Sequence, residues 1–138
     1  MNRHLGFTGT RKGMTHEQIG RVDELTAYDF DIVHHGDCLG ADADMHRIAR
    51  ANGQYIVGHP PIKNDFRAFC DFDEEHLPKE YLTRDRDIVH DSELLIATPA
   101  EMEPQPKGGT WYTVRYAETL KKPIVIVWPD GSLKRINL

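Results

Sequence analysis

Residues 107–117 read Lys107-Gly108-Gly109-Thr110-Trp111-Tyr112-Thr113-Val114-Arg115-Tyr116-Ala117. An apolar run at 93–99 precedes this stretch, and Thr110 is predicted to be the N-cap of a helix that follows. Adjacent glycines let the backbone approach a ligand closely, and the unpaired N–H groups at the start of a helix attract anions. The order of strand, Gly-Gly-Thr and helix therefore predicts a phosphate cradle. A tight loop before a capped helix is the alternative interpretation.

The composition indicates one globular domain over residues 1–138. Hydrophobic residues make up 39% of the chain and charged residues 28%, which excludes a disordered polymer. A formal net charge of −5 disfavours broad binding to nucleic acid. No apolar run approaches the ~20 residues that span a bilayer, and no signal-peptide pattern opens the chain, so we expect a cytoplasmic protein with no membrane partner. Cys38 and Cys70 lack CxxC spacing and are expected to be free thiols.

Short apolar runs alternate with amphipathic ones along the chain. Strands are predicted over 5–8, 31–35, 54–58, 93–97 and 123–128, and helices over 15–27, 41–52, 78–90 and 110–122. Thr15 and Gln18 predict a capping box for the first helix. Residues 59–78, rich in proline and phenylalanine, form a long loop typical of a lid or binding loop. Five strands separated by helices predict an α/β, Rossmann-like, doubly wound parallel sheet with helices on both faces.

Glycine-rich turns follow the first, second and fourth predicted strands, at 9–13, 36–40 and 107–110. Ligands of doubly wound sheets bind beyond the carboxyl ends of the strands, where these turns are expected to meet. Arg11 could hold a phosphate through a bidentate hydrogen bond, although a solvent-facing loop arginine is the alternative. The predicted ligand-binding residues are Gly9, Thr10, Arg11, Gly36, Gly40, Lys107, Gly108, Gly109 and Thr110.

Acidic residues crowd the turn and helix start after the second strand, at Asp37, Asp42 and Asp44. Carboxylates suit the positive end of a helix, so a structural role explains at least one of them. Binding of ribose hydroxyls or general base catalysis is the functional interpretation, and Asp37 and Asp42 are the candidates for it. The eight histidines lack HxxxH or HxH spacing, and the adjacent His34 and His35 are expected on opposite faces of a strand. No metal centre or cofactor is therefore predicted.

Four segments, in this order and spacing, resemble one superfamily. They are Gly6-Phe7-Thr8-Gly9-Thr10-Arg11, His35-Gly36-Asp37-Cys38-Leu39-Gly40-Ala41-Asp42, Arg84-Asp85-Arg86-Asp87-Ile88-Val89 and Lys107-Gly108-Gly109-Thr110. Over nearly its whole length the chain is similar to the SLOG superfamily, the Rossmann-like group that includes the LOG phosphoribohydrolases and DNA-processing protein A. The resemblance implies a nucleotide-binding protein, and from the family we expect a homodimer, which the aromatic pair at 111–112 also favours.

The resemblance also bears on catalysis. Arg84 falls at the position of the LOG arginine that acts on substrate and is therefore a catalytic candidate, although a solvated ion-paired helix face is the ordinary explanation of the Arg-Asp-Arg-Asp run. Thr113 occupies the position of the LOG glutamate that takes part in cleaving the N-glycosidic bond, and a threonine cannot act as a carboxylate. Hydrolysis of a nucleoside 5′-monophosphate would need another acid, from Asp37, Asp42, Asp44, Glu101 or Glu103. A non-catalytic nucleotide sensor is the alternative, and binding of single-stranded nucleic acid is a weaker one.

Overall fold

The structure, a computed structural model, describes residues 2–138. Its strands are β1 (His4–Gly9), β2 (Ile32–His35), β3 (Tyr55–Gly58), β4 (Glu74–Glu75), β5 (Leu94–Thr98), β6 (Ile124–Val127) and β7 (Leu133–Ile136). Its helices are α1 (His16–Thr26), α2 (Ala41–Ala51), α3 (Tyr81–His90) and α4 (Gly109–Thr119). None of these helices combines the length and the apolar character needed to cross a bilayer.

The strands form one sheet in the order β4-β3-β2-β1-β5-β6-β7. All neighbouring strands are parallel except β6 and β7, which are antiparallel. The chain moves outward from β1 to β4 on one side and returns to add β5, β6 and β7 on the other. The predicted α/β doubly wound class is confirmed. Two edge strands were missed, because β4 is two exposed glutamates and β7 carries the exposed Lys134 and Arg135 instead of an apolar run.

Helices pack against both faces of the sheet. Alternating residues of β5 and β6 divide between the two layers because successive strand side chains point to opposite faces. On one face, α1 and α2 cover a core of Leu5, Phe7, Val22, Phe30, Val33, Ala41, Met45, Ala49, Ile56, Ile96, Val125 and Val127. On the other, α3 and α4 cover Val89, Leu95, Ala97, Trp111, Val114, Ala117, Ile124 and Ile126. β1 and β5, which border the change in direction, therefore lie in the middle of a buried sheet.

Local signals set most helix boundaries, with two corrections. The capping box of Thr15 and Gln18 is present, and both cysteines are free thiols. The prediction that Thr110 caps the last helix was wrong, because α4 already begins at Gly109 with Gly108 at its N-cap. The third helix begins at Tyr81 and not at residue 78, because Lys79 instead pairs with the backbone of Pro61 in an isolated bridge.

Candidate functional site

A cavity of about 480 Å³ opens at the carboxyl edge of the sheet, beyond the ends of the paired strands β1 and β5. Its wall is built from the loop after β1, the turn after β2, the start of α3 and the loop that leads into α4. It contains ten of the residues predicted from the sequence: Gly9, Thr10, Arg11, Gly36, Asp42, Arg84, Lys107, Gly108, Gly109 and Thr110. The fold therefore brings the three glycine-rich turns to one place.

The start of α4 forms one end of this cavity. Gly108, at the N-cap, has φ of 107°, a conformation that L side chains rarely adopt. No side chain caps the helix, so its first backbone N–H groups have no partner from a cap. Thr113 is fully buried, and its hydroxyl donates to the carbonyl of Gly109 at 2.7 Å. An anion in the cavity would therefore meet free N–H donors and the positive end of the helix dipole.

Three cations line the same cavity. Arg11, Lys12 and Lys107 are exposed, and within residues 2–138 none of them forms an ion pair. The guanidinium of Arg11 lies 4.1 Å from the ring centroid of Phe66 and 5.6 Å from that of Tyr81. Both rings are close enough for cation–π interactions that stabilise the position of the guanidinium. Since Glu101 is the one exposed acid in the wall among the described residues, the exposed charges of the cavity are mainly positive, although the whole chain carries a net charge of −5.

Arg84 lies deeper and is only 6% exposed. Its Nε donates to Asp85 Oδ1 at 2.6 Å, and its Nη1 donates to the carbonyl of His59 at 3.0 Å and to that of Gly36. Its Nη2 donates to Cys38 Sγ at 3.2 Å. A Cβ on residue 36 would lie 2.5 Å from Nη1, so the close approach requires glycine there. Four of the five N–H groups of this guanidinium are thus used inside the protein. Arg84 organises the wall more than it faces the cavity.

Two buried carboxyls lie beside Arg84. Burial raises the pKa of Asp42 to about 7, an effect that the charge of Arg84 and the 3.1 Å hydrogen bond from the Cys38 N–H oppose. Burial also raises the pKa of Asp85, again against the charge of Arg84. Asp85 was not predicted as a site residue; its helical spacing to Tyr81 and Ile88, which also line the cavity, was the signal available.

Glu101 is the other acid in the wall and accepts a hydrogen bond from Trp111 Nε1 at 3.0 Å. Carboxylates are therefore present in the cavity although Thr113, at the position that the resemblance assigns to a glutamate, is not one.

Two predicted residues lie outside the cavity wall. Asp37 is fully buried, and its carboxylate accepts from Arg67 Nε at 2.6 Å and from the Cys70 N–H at 2.8 Å. Asp37 therefore attaches the long loop between β3 and α3 to the turn after β2. The backbone of Gly40 packs directly against the carbonyl of Arg11, where a Cβ would clash. Both residues shape the loops around the cavity.

The chain is similar to known proteins in its fold and not in its sequence. No protein-family model matches the sequence, and no curated protein matches it. The molybdenum cofactor binding protein of the phototrophic bacterium Rippkaea orientalis is 16% identical with a TM-score of 0.73, over 93% of this chain and 77% of that one. The molybdenum cofactor carrier protein of Chlamydomonas reinhardtii is 24% identical with a TM-score of 0.66, over 91% and 76%.

DNA processing protein A of Streptococcus pneumoniae is 14% identical with a TM-score of 0.66, over 91% of this chain and 50% of that one. These proteins share the SLOG-type Rossmann-like fold. The chain has this fold as well, and the resemblance seen in the sequence is confirmed at that level.

Proposed function

We propose that the protein binds a nucleotide or another phosphorylated small molecule in this cavity, with the phosphate at the start of α4. The carrying observation is that the uncapped start of α4 lines the same cavity as three cations that have no ion-pair partner among residues 2–138. Backbone N–H groups and cationic side chains are the donors that bind phosphate in proteins. Since the chain as a whole is acidic, this local positive region favours a small anion over a nucleic-acid backbone.

The size and lining of the cavity support a ligand of this class. Its volume of about 480 Å³ lies within the ~300–1,000 Å³ typical of small-molecule sites. Tyr81, Leu82 and Ile88 line the wall beside the polar residues and offer apolar surface to a base. Aromatic and aliphatic contacts of this kind favour a planar heterocycle attached to the phosphate.

The test uses AMP, adenosine and inorganic phosphate, with binding followed by thermal shift and calorimetry. Lys107→Gln is expected to weaken AMP binding roughly ten- to a hundredfold, because a lost charge-assisted hydrogen bond costs about 1.5–3 kcal/mol. Adenosine binding should change little. Lys134→Gln removes the same charge from exposed β7 and is the matched control. Wild-type stabilisation should grow with ligand concentration as RT ln(1 + [L]/Kd).

Two results would contradict this proposal. Equal losses in the Lys107 and Lys134 variants would mean that only the general field of the protein acts on the ligand. Absence of any thermal shift with millimolar nucleotides would remove nucleotides as ligands. Two of the similar structures are named for the molybdenum cofactor, so this cofactor belongs in the same panel. A thermal shift with the molybdenum cofactor and with no nucleotide would indicate that the cavity binds that cofactor.

A second candidate function is hydrolysis of the N-glycosidic bond of a nucleoside 5′-monophosphate. The observation that favours it is the raised pKa of Asp42, about 7, in the cavity wall. A carboxyl with such a pKa can donate a proton to the departing base or accept one from the attacking water near neutral pH. Water would add to C1′ as the C1′–N bond breaks, which yields the free base and ribose 5-phosphate. Free base measured by chromatography tests this function.

Base release that Asp42→Asn abolishes, without loss of AMP binding, would support the enzyme. Binding without release would support the non-catalytic sensor. We also propose a homodimer. Trp111 packs in the core and is therefore not available to a subunit interface. Tyr112 and Tyr116, stacked with their ring centroids 6.5 Å apart, are the aromatic surface that remains on α4.

A further inference from the structure

A row of histidines lies outside the cavity, on the face of the sheet that α3 covers. His34 of β2 pairs in register with Gly6 of β1, and a Cβ on Gly6 would contact Ser92 and Ile88. His4 Nδ1 lies 2.8 Å from His34 Nε2, and His34 Nδ1 lies 2.9 Å from His59 Nε2. The row ends at Asp91, whose Oδ2 is 3.9 Å from His59 Nε2.

Three of these groups converge on one point. His34 Nδ1, His59 Nε2 and a carboxylate oxygen of Asp91 all lie within 4.8 Å of one another. His34 and His59 are buried at 3% and 2% exposure, whereas the side chain of Asp91 is 41% exposed. Polar rings are costly at buried positions unless they have partners. The arrangement thus combines buried nitrogen donors with an opening to solvent at the carboxylate.

The hydrogen bonds of His34 leave the correct nitrogen available for a metal. If Nε2 carries the proton and donates to His4 Nδ1, then His34 Nδ1 presents a lone pair toward His59 and Asp91. Histidines that bind metals typically donate their other ring N–H to a second group in this way. His59 becomes a second nitrogen ligand when its proton is on Nδ1.

A second cluster on the opposite face lacks this property. His35, His46 and Cys70 also bring three potential ligand atoms within 4.8 Å. However, the Asp37 N–H donates to His35 Nδ1 at 3.0 Å, so the proton of this ring must be on Nε2, which lies 3.0 Å from His46 Nδ1. The nitrogen of His35 that faces the other two groups therefore carries the only N–H proton of the ring, and a metal on Nε2 would require loss of that proton or of the hydrogen bond from Asp37. The second cluster provides an internal comparison.

We propose that His34, His59 and Asp91 bind a divalent transition-metal ion of the Zn²⁺ class. Two imidazoles and one carboxylate suit Zn²⁺ and leave a fourth position for water. Metal–nitrogen distances of about 2.0–2.1 Å in a tetrahedral site place two nitrogens ~3.3 Å apart, so the 2.9 Å pair needs to open by a few tenths of an ångström. Sequence spacing could not reveal this site because its residues come from β2, the position after β3 and the C-cap of α3.

The site would lie behind the cavity and support it. The carbonyl of His59 accepts from Arg84 Nη1 at 3.0 Å, and none of the three ligand residues lines the cavity. A metal that fixes His59 would therefore hold one of the contacts that orient Arg84. Such a role is independent of which molecule occupies the cavity.

The test titrates chelator-treated protein with Zn²⁺ by calorimetry and with Co²⁺ by absorption. We expect one ion per chain and a visible cobalt spectrum without the near-ultraviolet band of a cobalt–thiolate bond. Asp91→Ala should weaken binding by at least about tenfold, since changes to groups that merely support a metal ligand already cost about 10–100-fold. Asp87→Ala removes the same charge four residues earlier, within α3 and at a residue paired with Lys79, and should bind normally. Cys70→Ser should also bind normally.

Several results would overturn the proposal. Absence of stoichiometric Zn²⁺ binding would remove the site outright. Equal weakening by Asp91→Ala and Asp87→Ala would reduce it to nonspecific attraction of cations. A thiolate band that Cys70→Ser abolishes would place the ion in the second cluster. Circular dichroism and the unfolding midpoint of each metal-free variant establish that an altered affinity does not come from unfolding.

Discussion

Replacement of Arg84 by methionine tests whether this side chain is the organiser of the cavity wall. Methionine keeps an unbranched side chain of similar length and removes the guanidinium. Asp85 then loses its 2.6 Å ion pair, and the carbonyls of Gly36 and His59 lose their donor. Removal of one partner from a buried ion pair costs about 3–5 kcal/mol, because the other charge stays buried without compensation. We expect a loss of this size in the free energy of unfolding.

Arg86→Met is the matched control on the same helix. Arg86 is exposed and its Nε donates to Tyr112 Oη at 2.7 Å, so its removal should cost no more than about 1 kcal/mol. Both variants lose one positive charge, and a general effect of net charge would act on them equally. Urea unfolding, analysed as a two-state transition, gives the free energies and shows from the slopes whether the denatured states are comparable.

The pH dependence adds a second criterion. Burial raises the pKa of Asp85 and Arg84 opposes this rise, so loss of Arg84 should raise that pKa further. A carboxyl whose folded pKa exceeds its unfolded value contributes stability below the unfolded pKa of about 3.9 and loses it as pH rises through the folded pKa. The loss in the free energy of unfolding caused by Arg84→Met should therefore be larger at pH ~8 than at pH ~5. A loss of unfolding free energy equal to that of Arg86→Met, or one that does not change with pH, would refute the role of Arg84 as the organiser of the cavity wall.

Two further substitutions address the cavity. Gly109→Val should leave a folded protein, since a Cβ there would meet only Asp85 Oδ2 at 3.9 Å. Its methyl groups should obstruct the start of α4 and weaken AMP binding by at least about tenfold, measured by calorimetry. Gly20→Val on α1 is the control, because among residues 2–138 a Cβ there meets no atom within 4 Å apart from the neighbouring backbone of its own helix. Asp42→Asn should gain stability relative to the wild type between pH ~4 and pH ~8, by up to about 4 kcal/mol, because the stability from Asp42 is lost as pH rises toward its pKa of about 7. A constant difference in urea unfolding across this range would contradict the raised pKa.

The fold was predictable because its signals are local. The capping box at Thr15 and the β-branched run of β6 each encode their element within a few residues. The edge strand β7 gave no such signal. It pairs only with β6 and is largely exposed, so its residues need not be apolar. Thr110 was misassigned as a cap for a related reason. Gly108 reaches the required backbone conformation without a hydroxyl, and local residue preference cannot show whether Gly108 or Thr110 is the N-cap.

The candidate site was predictable only in outline. The strand-end rule placed three glycine turns at one edge, and the structure brings them together around one cavity. The partners of individual side chains were not predictable, because they come from distant parts of the chain. Arg84 and Gly36 are 48 positions apart, and Asp37 reaches Arg67 across 30. Asp37 and Asp42 appeared equivalent in the sequence but differ in the fold, since Asp42 lines the cavity and Asp37 holds a loop.

The distribution of charge within the cavity favours one orientation of the proposed nucleotide ligand. The cations without ion-pair partners in the described chain, Arg11, Lys12 and Lys107, are all exposed at the mouth. The carboxyls with raised pKa values, Asp42 and Asp85, are buried beside Arg84. A phosphate therefore gains most at the mouth, where desolvation is small and the α4 N–H groups are free. The uncharged ribose and base are better suited to the inner end, where Asp42, with a pKa of about 7, can donate or accept hydrogen bonds near neutral pH. This orientation would place the glycosidic bond, and not the phosphate, within reach of Asp42, and the substitutions at Lys107 and Asp42 test its two ends separately.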